Sequence, residues 1–314
     1  MFTIISIPMK HNRTQKLHTK SKVKSESGSK TKRFHALNCS PYSSKNSPEF
    51  SCFSNNAIME IGLKWNMRHP GSKIPLDNPR NVWLHLRNQM RESCHTESCW
   101  IRRHLSNAFP ELRELINHSF SPLAPESWKN NPIEWLTTDD INRVMNQYEK
   151  AYKCFRFYGP SPINYSQILE DGMCVWPEMC DLNIRELMKE GIFKIGFVFN
   201  THPHYKEGEH WISMFVNLRE RYIFFMDSNG HLPPKQVRNL ISDIKKQCKA
   251  LKIQMKVIYN KTEHQKKNTE CGIYSLFTII NLLTGEMQPI DLTTKRIPDE
   301  KMVELRNKYF NSHL

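Results

Sequence analysis

One run of fifteen residues, CGIYSLFTIINLLTG (271–285), constrains the fold more than any other part of the chain, because it is apolar on every side. A helix without a polar face has to be buried, so this run predicts a core helix. A glycine is typical just beyond a helix end, and Gly285 therefore predicts where the helix stops. Hydrophobic residues make up 39% of the 314 residues, enough to form a core around such a helix.

Strand and helix patterns alternate in the second half of the chain. The segments that resemble strands, rich in β-branched and aromatic residues, are 192–200, 210–218, 221–227 and 252–259. Arg219 and Glu220 predict a tight hairpin between the second and the third. Pro233 and Pro234 predict the start of a helix, and residues 298–310 predict a closing amphipathic helix. This order predicts an α+β fold, in which a sheet is flanked by helices.

The first half of the chain is divided differently. Residues 10–56 are rich in Lys, Ser, Asn and Thr and poor in large apolar side chains, so we expect a disordered tail over residues 1–56. From about residue 78 the apolar spacing becomes helical, which predicts a helical N-terminal region over 57–130. We expect the remaining residues, 131–314, to form the main domain.

Positive charge is concentrated in the predicted tail. Residues 1–50 hold ten Lys/Arg and two Glu, and so carry +8 of the net charge of +14. We expect residues 10–45 to bind DNA or another polyanion without sequence specificity and in a salt-dependent way. The alternative is a solvated tail that has no specific partner.

No run of residues approaches the roughly 18 apolar positions that a membrane span requires. The opening MFTIISIPMK also lacks the order of basic residues, apolar run and cleavage site that defines a signal peptide. We therefore expect a soluble protein that is not secreted and does not act on a membrane.

The chain has nine cysteines at irregular spacings, and without an export signal we expect free thiols rather than a disulfide framework. A zinc site is the alternative, because His202 and His204 lie near His210 and two cysteine pairs occur, Cys94/Cys99 and Cys174/Cys180. These spacings match the usual zinc motifs poorly, so we expect no metal and no organic cofactor.

Four polar residues fall where the predicted elements would bring them together. His210 begins one strand of the hairpin and Asp227 ends the other, so the two lie at its open end. Cys271 begins the buried helix, where the helix dipole favours a thiolate. An imidazole beside a thiolate, oriented by a carboxylate, is the arrangement of a nucleophilic cysteine. Gln265 precedes that helix and could donate, with the Cys271 backbone N–H, to an oxyanion.

The motifs EHW, MDSNG and Q-x5-CG, in this order, resemble the family of ubiquitin-like-protein proteases, which includes SUMO-deconjugating enzymes and the adenovirus endoprotease. TECGIYSLF and HQKKNTECG are especially similar to the polyprotein proteases of large nucleocytoplasmic DNA viruses, of the African swine fever virus type. The resemblance implies a papain-like cysteine protease core, with a central mixed sheet flanked by helices and a catalytic domain at 131–314. It implies a triad of His210, Asp227 and Cys271 with Gln265 as the oxyanion donor.

The resemblance also implies a substrate site. Trp211 and Trp135 would line a narrow tunnel for the substrate backbone, which favours cleavage after a small residue such as Gly. The alternative for each tryptophan is a role in the core. The family has an acidic residue two positions after "WL". Here Thr137 and Thr138 follow instead, and no role passes to Asp139 or Asp140.

Substrate and location follow only from the resemblance. It favours a maturation protease that cuts viral structural polyproteins, located in the virion and in the host cytoplasm, at the virus factory, during assembly. One alternative is an isopeptidase that removes SUMO or another ubiquitin-like protein. The alternative from another class is an inactive binding module with a nucleic-acid-binding tail.

Overall fold

The structure, a computed structural model, describes residues 38–311. Its centre is a mixed sheet of five strands in the order β1-β2-β3-β4-β5. The two outer pairs, β1–β2 and β4–β5, are parallel, and the inner pairs are antiparallel. The strands are β1 Phe155–Pro162, β2 Lys194–Asn200, β3 Trp211–Asn217, β4 Tyr222–Met226 and β5 Lys256–Tyr259.

Helices precede the sheet and cover it. They are α1 Ser43–Asn46, α2 Asn55–Arg68, α3 Pro79–Met90, α4 Glu97–Cys99, α5 Leu112–Ser119, α6 Thr138–Ala151, α7 Pro177–Cys180, α8 Ile184–Lys189, α9 Lys235–Ala250, α10 Cys271–Thr284, α11 Asp291–Thr294 and α12 Asp299–Tyr309. A π-helical segment, Trp100–Leu105, continues α4, and short 3-10 turns lie at Pro70–Ser72 and Glu126–Lys129.

Helix α10 is the buried helix that the sequence predicts. Every residue from Cys271 to Leu283 is buried, and Gly285 ends the helix at a φ of +79°, a conformation that glycine adopts without strain. α10 packs against β3 on one face of the sheet and is enclosed there by α6 and α12. The predicted α+β arrangement of a sheet flanked by helices is confirmed.

Helix α9 covers the opposite face of the sheet. Its apolar stripe is buried, and Pro234, one of the two prolines that predict its start, stands at its N-cap. The buried members of this stripe are Val237, Leu240, Ile241, Ile244 and Cys248. α8 packs beside it, so the sheet lies between two apolar layers.

Two strand predictions differ from the structure. β1 has no counterpart in the sequence reading, since Pro160 and Pro162 conceal it, and proline is tolerated there because β1 is an edge strand. β5 begins at Lys256, four residues after the predicted start at Lys252, because residues 251–255 connect α9 to the sheet.

The predicted disordered tail is wrong for residues 38–56. This segment is folded, since Cys39 pairs with Phe120 in a β-bridge and Phe53 is fully buried in the N-terminal helical cluster. The high lysine and serine content of this segment outweighs its few buried apolar residues when the sequence alone is considered. The rest of the predicted tail, with nearly all of the basic residues in 10–45, lies outside the described residues.

The expectation of free thiols is wrong for six of the nine cysteines. They are joined as Cys39–Cys52, Cys94–Cys99 and Cys174–Cys180. The fold brings their Cα atoms to 5.1, 5.6 and 6.6 Å, within the range that a disulfide spans. Cys154, Cys248 and Cys271 remain as thiols.

The N-terminal helical cluster is joined to the end of α12. Asn38 Nδ2 donates to the carbonyl of Phe310 (3.2 Å), and Asn311 Nδ2 donates to the carbonyl of Ser121 (2.7 Å). Leu123 also pairs with Asn311 in a β-bridge. Both ends of the described chain therefore meet at one place.

Within residues 38–311, no helix combines the length and the apolar character needed to cross a bilayer.

A buried carboxyl group holds the N-terminal cluster together. Glu97 is inaccessible to solvent and accepts hydrogen bonds from Ser51 Oγ (2.6 Å), Cys52 N (2.9 Å) and Trp83 Nε1. Burial raises the pKa of Glu97 from 4.5 to about 7, against the effect of these three donors. The folded cluster therefore binds a proton more tightly than the unfolded chain.

We expect Glu97→Gln to flatten the pH dependence of stability. Between pH 4.5 and 7 folding takes up a proton at Glu97, so this contribution is complete below pH 4.5 and is lost as pH rises through 7. Urea unfolding at a series of pH values from about 5 to about 8 would measure the slope. Glu92→Gln, at an exposed position nearby, is the control, and an unchanged slope in Glu97→Gln would contradict the assignment.

Candidate active site

The β3–β4 hairpin places His210 beside Asp227. β3 and β4 pair antiparallel with Ser213 opposite Met226, so the residue before β3 and the residue after β4 meet at the open end. His210 Nε2 lies 2.8 Å from Asp227 Oδ1. Asp227 is 5% exposed, so this contact is largely shielded from water.

Cys271 is the first residue of α10. Its side chain is buried and near enough to His210 to raise the pKa of the imidazole. Because Asp227 occupies Nε2, Nδ1 is the ring nitrogen left for the sulfur. Burial disfavours a charged imidazole, but the hydrogen bonds and negative charges of Asp227 and Cys271 outweigh it and raise the pKa of His210 to about 10.

Asp227 is held on three sides. Its Oδ1 accepts from the backbone N–H of Asn229 (2.8 Å), and its backbone carbonyl accepts from Asn260 Nδ2 (2.8 Å). His231, an exposed residue, approaches Oδ2 at 3.5 Å. Asn260 is fully buried at the end of β5, so β5 fixes the position of the carboxylate. These contacts orient Asp227 toward His210.

Gln265 lies where an oxyanion donor is expected, in the loop before α10. It is buried, and its Oε1 accepts from Ser228 Oγ (2.7 Å). Its backbone N–H donates to the carbonyl of Ser228 (2.9 Å). Since Ser228 engages the amide oxygen, the amide NH₂ is the group left to donate. Ser228 follows Asp227 directly, so one turn supports both predicted residues.

Asp299 anchors the loop that carries Gln265. Its Oδ2 accepts from the backbone N–H groups of Lys266 (3.0 Å) and Lys267 (3.2 Å), and its Oδ1 accepts from the hydroxyl of Tyr274 (3.2 Å). The loop is thereby joined to α10 and α12. The sequence does not reveal the roles of Asp299, Asn260 and Ser228. What distinguishes these short polar side chains is their burial, which is not visible in a sequence.

A buried ion pair fixes Glu270, the residue before Cys271. Arg306 Nε donates to Glu270 Oε2 at 2.9 Å, and both side chains are almost inaccessible to solvent. The same guanidinium donates to the carbonyls of Glu134 (2.7 Å) and Thr269 (3.2 Å), and it stacks over Trp128. Arg306 therefore ties the start of α10 to α12 and to the segment that leads into α6. The sequence does not reveal this pair, because its two residues are 36 positions apart.

A cleft of about 610 Å³ opens beside Glu209 and Trp211, the two neighbours of His210 in the chain. Trp211 and Trp135, the two predicted substrate-binding residues, both line it, Trp135 being 40% exposed and Trp211 8%. Trp211 serves the core as well, since it belongs to the α10 cluster and its Nε1 donates to the carbonyl of Leu136 (2.9 Å). Trp176, which the sequence analysis missed, is a third tryptophan of the lining, within the loop closed by Cys174–Cys180.

Gly272 does not leave open space beside the sulfur. A Cβ at this position would come within 2.9 Å of Leu136 Cβ, so the glycine permits close packing of Leu136 on α10. The glycine is therefore explained by packing between α10 and Leu136. Leu136 also lines the cleft.

The histidines considered for zinc point to different partners. His202 pairs with Glu209 (2.9 Å), His204 contacts Asn164 (2.8 Å), and His210 contacts Asp227. The cysteine pairs of the zinc alternative are disulfides. Within residues 38–311, no three His, Cys, Asp or Glu side chains are grouped so as to hold a metal ion.

The part of the chain that carries His210, Asp227 and Cys271 matches the sequence model of a known family. Residues 195–313, which include His210, Asp227, Gln265 and Cys271, match the model of the Ulp1 protease family, C-terminal catalytic domain. This part of the chain is thus similar to the catalytic domain of a family of cysteine peptidases, which are hydrolases.

Relatives of the chain occur in viruses. The chain is 35% identical over 182 residues to a protein of Acanthamoeba polyphaga mimivirus named as a thiol protease; the match covers 57% of each chain. It is 26% identical over 227 residues to a protein of African swine fever virus named as a SUMO-1 cysteine protease, covering 69% of this chain and 83% of that one. The chain thus spans little more than half of the mimivirus relative.

A crystal structure of the African swine fever virus protease has the same fold. It superposes with a TM-score of 0.64 at 23% sequence identity, and the match covers 88% of this chain and 96% of that one. The match extends beyond residues 195–313 into the N-terminal helices. The fold predicted from the resemblance, a papain-like core with a helical N-terminal region, is confirmed.

We expect Asp227→Asn to slow alkylation of Cys271 by iodoacetamide at pH 7 by about tenfold or more, because the imidazolium loses the anion that stabilises it. Mass spectrometry of the modified peptides would measure the rate. Cys248 serves as an internal reference, since burial raises the pKa of its thiol to about 11 and its labelling reports unfolding. Equal rates at Cys271 in the variant and the wild type would contradict the arrangement.

We expect Arg306→Met to lower the free energy of unfolding by about 3–5 kcal/mol, because it leaves Glu270 charged, buried and unpaired. The double variant Glu270→Leu/Arg306→Met should recover about half of this loss, since no charge is then stranded. Urea denaturation measures both. Lys301→Met, which breaks an exposed ion pair with Glu304 on the same helix, is the control, and a loss no larger than its loss would refute the role of the pair.

Proposed function

We propose that the chain is a thiol protease in which Cys271 is the nucleophile, His210 its base and Asp227 the group that orients the imidazole. The observation that carries this proposal is the 2.8 Å contact of His210 Nε2 with Asp227 Oδ1, made by a histidine that also interacts with Cys271 at the start of α10. The raised pKa of His210 favours an imidazolium at neutral pH, the state that stabilises a neighbouring thiolate. The similarity of residues 195–313 to the Ulp1 family supports the same roles.

The reaction proceeds through an acyl-enzyme. The thiolate of Cys271 attacks the scissile carbonyl, and the resulting oxyanion accepts from the Gln265 amide and from the Cys271 N–H, which is free at the start of a helix. His210 gives its proton to the leaving amine as the C–N bond breaks. A water molecule, deprotonated by His210, then attacks the thioester and releases the carboxylic acid and the thiol.

Cleavage after a small residue, most simply Gly, fits the entry to the site. The cleft is bounded by Trp135, Trp176 and Trp211, and Leu136 closes the space beside Gly272 next to the sulfur. A substrate backbone that passes between such rigid rings favours a small side chain at the scissile residue. We assign Trp211 and Trp135 to substrate binding on this basis.

The proposed substrates are structural polyproteins of a virus. Two relatives of the domain are viral proteins, and the motifs around Cys271 are similar to those of viral polyprotein proteases. On this proposal the enzyme acts in the assembling virion and in the host cytoplasm, where it meets its substrates. The predicted binding of DNA by residues 10–45 would retain it in particles.

Removal of SUMO or another ubiquitin-like protein is the second candidate, since the matching family model is that of Ulp1. The two candidates differ in what the enzyme must recognise. A polyprotein protease reads a short segment around the scissile bond, whereas a deconjugase also reads the folded modifier.

The test is labelling of the full chain with C-terminal electrophiles. We expect a short peptide ending in Gly-Gly to label Cys271 in the wild type, and Cys271→Ala to lose both labelling and peptide cleavage. Labelling that requires full-length SUMO would replace polyprotein processing by deconjugation.

The matched control is Cys154→Ala, which removes another thiol and leaves the site intact. Labelling of Cys271→Ala at the wild-type rate would refute the protease mechanism. Replacement of the scissile Gly by Leu in the peptide should lower kcat/KM by about a hundredfold or more, because the larger residue is excluded from the cleft.

A further inference from the structure

Positive charge in the folded part of the chain is concentrated on α9 and β5. Residues 235–261 hold eight Lys/Arg and one Asp, a net charge of +7. Residues 1–50 carry +8 of the total of +14, so all the other residues together carry −1. Residues 235–261, which contain α9 and β5, therefore account for the positive charge of the folded part of the chain.

These cations border an open groove of about 860 Å³ between α9 and β5. The cations along its α9 side are Arg238, Lys245, Lys246, Lys249 and Lys252. Lys246 pairs with Asp243 at 3.1 Å, and Arg238 donates to a backbone carbonyl. Lys245, Lys249 and Lys252 are exposed and have no carboxylate within ion-pair distance in the described part of the chain.

The floor of the groove is apolar. Ile241 and Met255 are buried beneath it, and Ile253, Val257 and Tyr259 are half-buried at its surface. A surface that only attracted solvent ions would not need apolar side chains between its cations. The combination fits a partner that presents both acidic groups and a hydrophobic surface.

β5 is the last strand of the sheet, and one of its backbone edges is unused among residues 38–311. Lys256 N donates to the carbonyl of Arg221 and Asn260 N donates to that of Phe225, so alternate residues face β4. In a parallel ladder, the residues that alternate with these direct their N–H and C=O groups away from the partner strand. The N–H and C=O groups of Val257 and Tyr259 are therefore directed away from the sheet.

From these three features we infer that the α9–β5 groove is a docking site for an extended acidic segment of a partner protein, which adds to the sheet as a strand beside β5. Backbone hydrogen bonds to Val257 and Tyr259 supply the register. Every second side chain of the added strand faces α9, about 7 Å from the next, where acidic groups meet Lys245, Lys249 and Lys252.

The occupant is a peptide rather than a nucleic acid. A phosphate backbone would use the cations, but it would leave the apolar floor and the free strand edge without a function. The basic residues at 10–45 make this chain's own tail an unsuitable occupant, because like charges would oppose its docking. The position of the groove, away from the tryptophan-lined cleft, separates docking from catalysis.

Fluorescence anisotropy with the full chain tests the inference. The probe is a labelled nonapeptide that alternates glutamate and valine, and the same peptide with lysine in place of glutamate is its control. We expect the acidic peptide alone to bind, and the triple variant Lys245→Glu/Lys249→Glu/Lys252→Glu to weaken it about tenfold or more. Lys150→Glu/Lys153→Glu/Lys189→Glu, three exposed lysines elsewhere, should change the affinity less than about twofold.

Backbone methylation separates strand addition from simple attraction of charge. Methylating the peptide nitrogens at odd positions in one probe and at even positions in another should abolish binding by only one of the two, because only one set faces β5. Equal binding by both probes would overturn strand addition. Loss of single-stranded DNA binding in the triple variant, with no binding of the acidic peptide to the wild type, would overturn the peptide as occupant.

Discussion

The requirement to enclose an entirely apolar helix shapes the rest of the domain. α10 has no face that tolerates water, so the sheet, α6 and α12 surround it. Cys271 is the first residue of this helix. The same burial that stabilises the core therefore confines the thiol to one point, where the positive end of the helix and a histidine on a neighbouring strand can act on it.

The supports of the site come from every layer around this helix. Asp227 directly follows β4, and Asn260, just after β5, holds its backbone carbonyl. α12 holds Glu270 through Arg306. Gln265 shares its turn with Asp227 through Ser228. The carboxylate and the oxyanion donor are thus parts of one hydrogen-bonded unit, and a shift of either would move the other.

The sequence predicted the parts of the site that depend on element ends. The hairpin that joins His210 to Asp227, and Cys271 at the start of an apolar helix, follow from local patterns of period two and 3.6. Asn260, Asp299 and Arg306 could not be found in this way, because their roles depend on contacts between distant segments. β1 was hidden by its prolines, and the three disulfides depend on distances that only the fold creates.

The reach of Arg306 has a consequence for the biosynthesis of the enzyme. Its guanidinium binds the carbonyl of Glu134, 172 residues earlier in the chain, and the carboxylate beside the nucleophile. A ribosome delivers α12 after every other element that contributes to the site. Cys271 therefore acquires its final environment only when synthesis has passed residue 306.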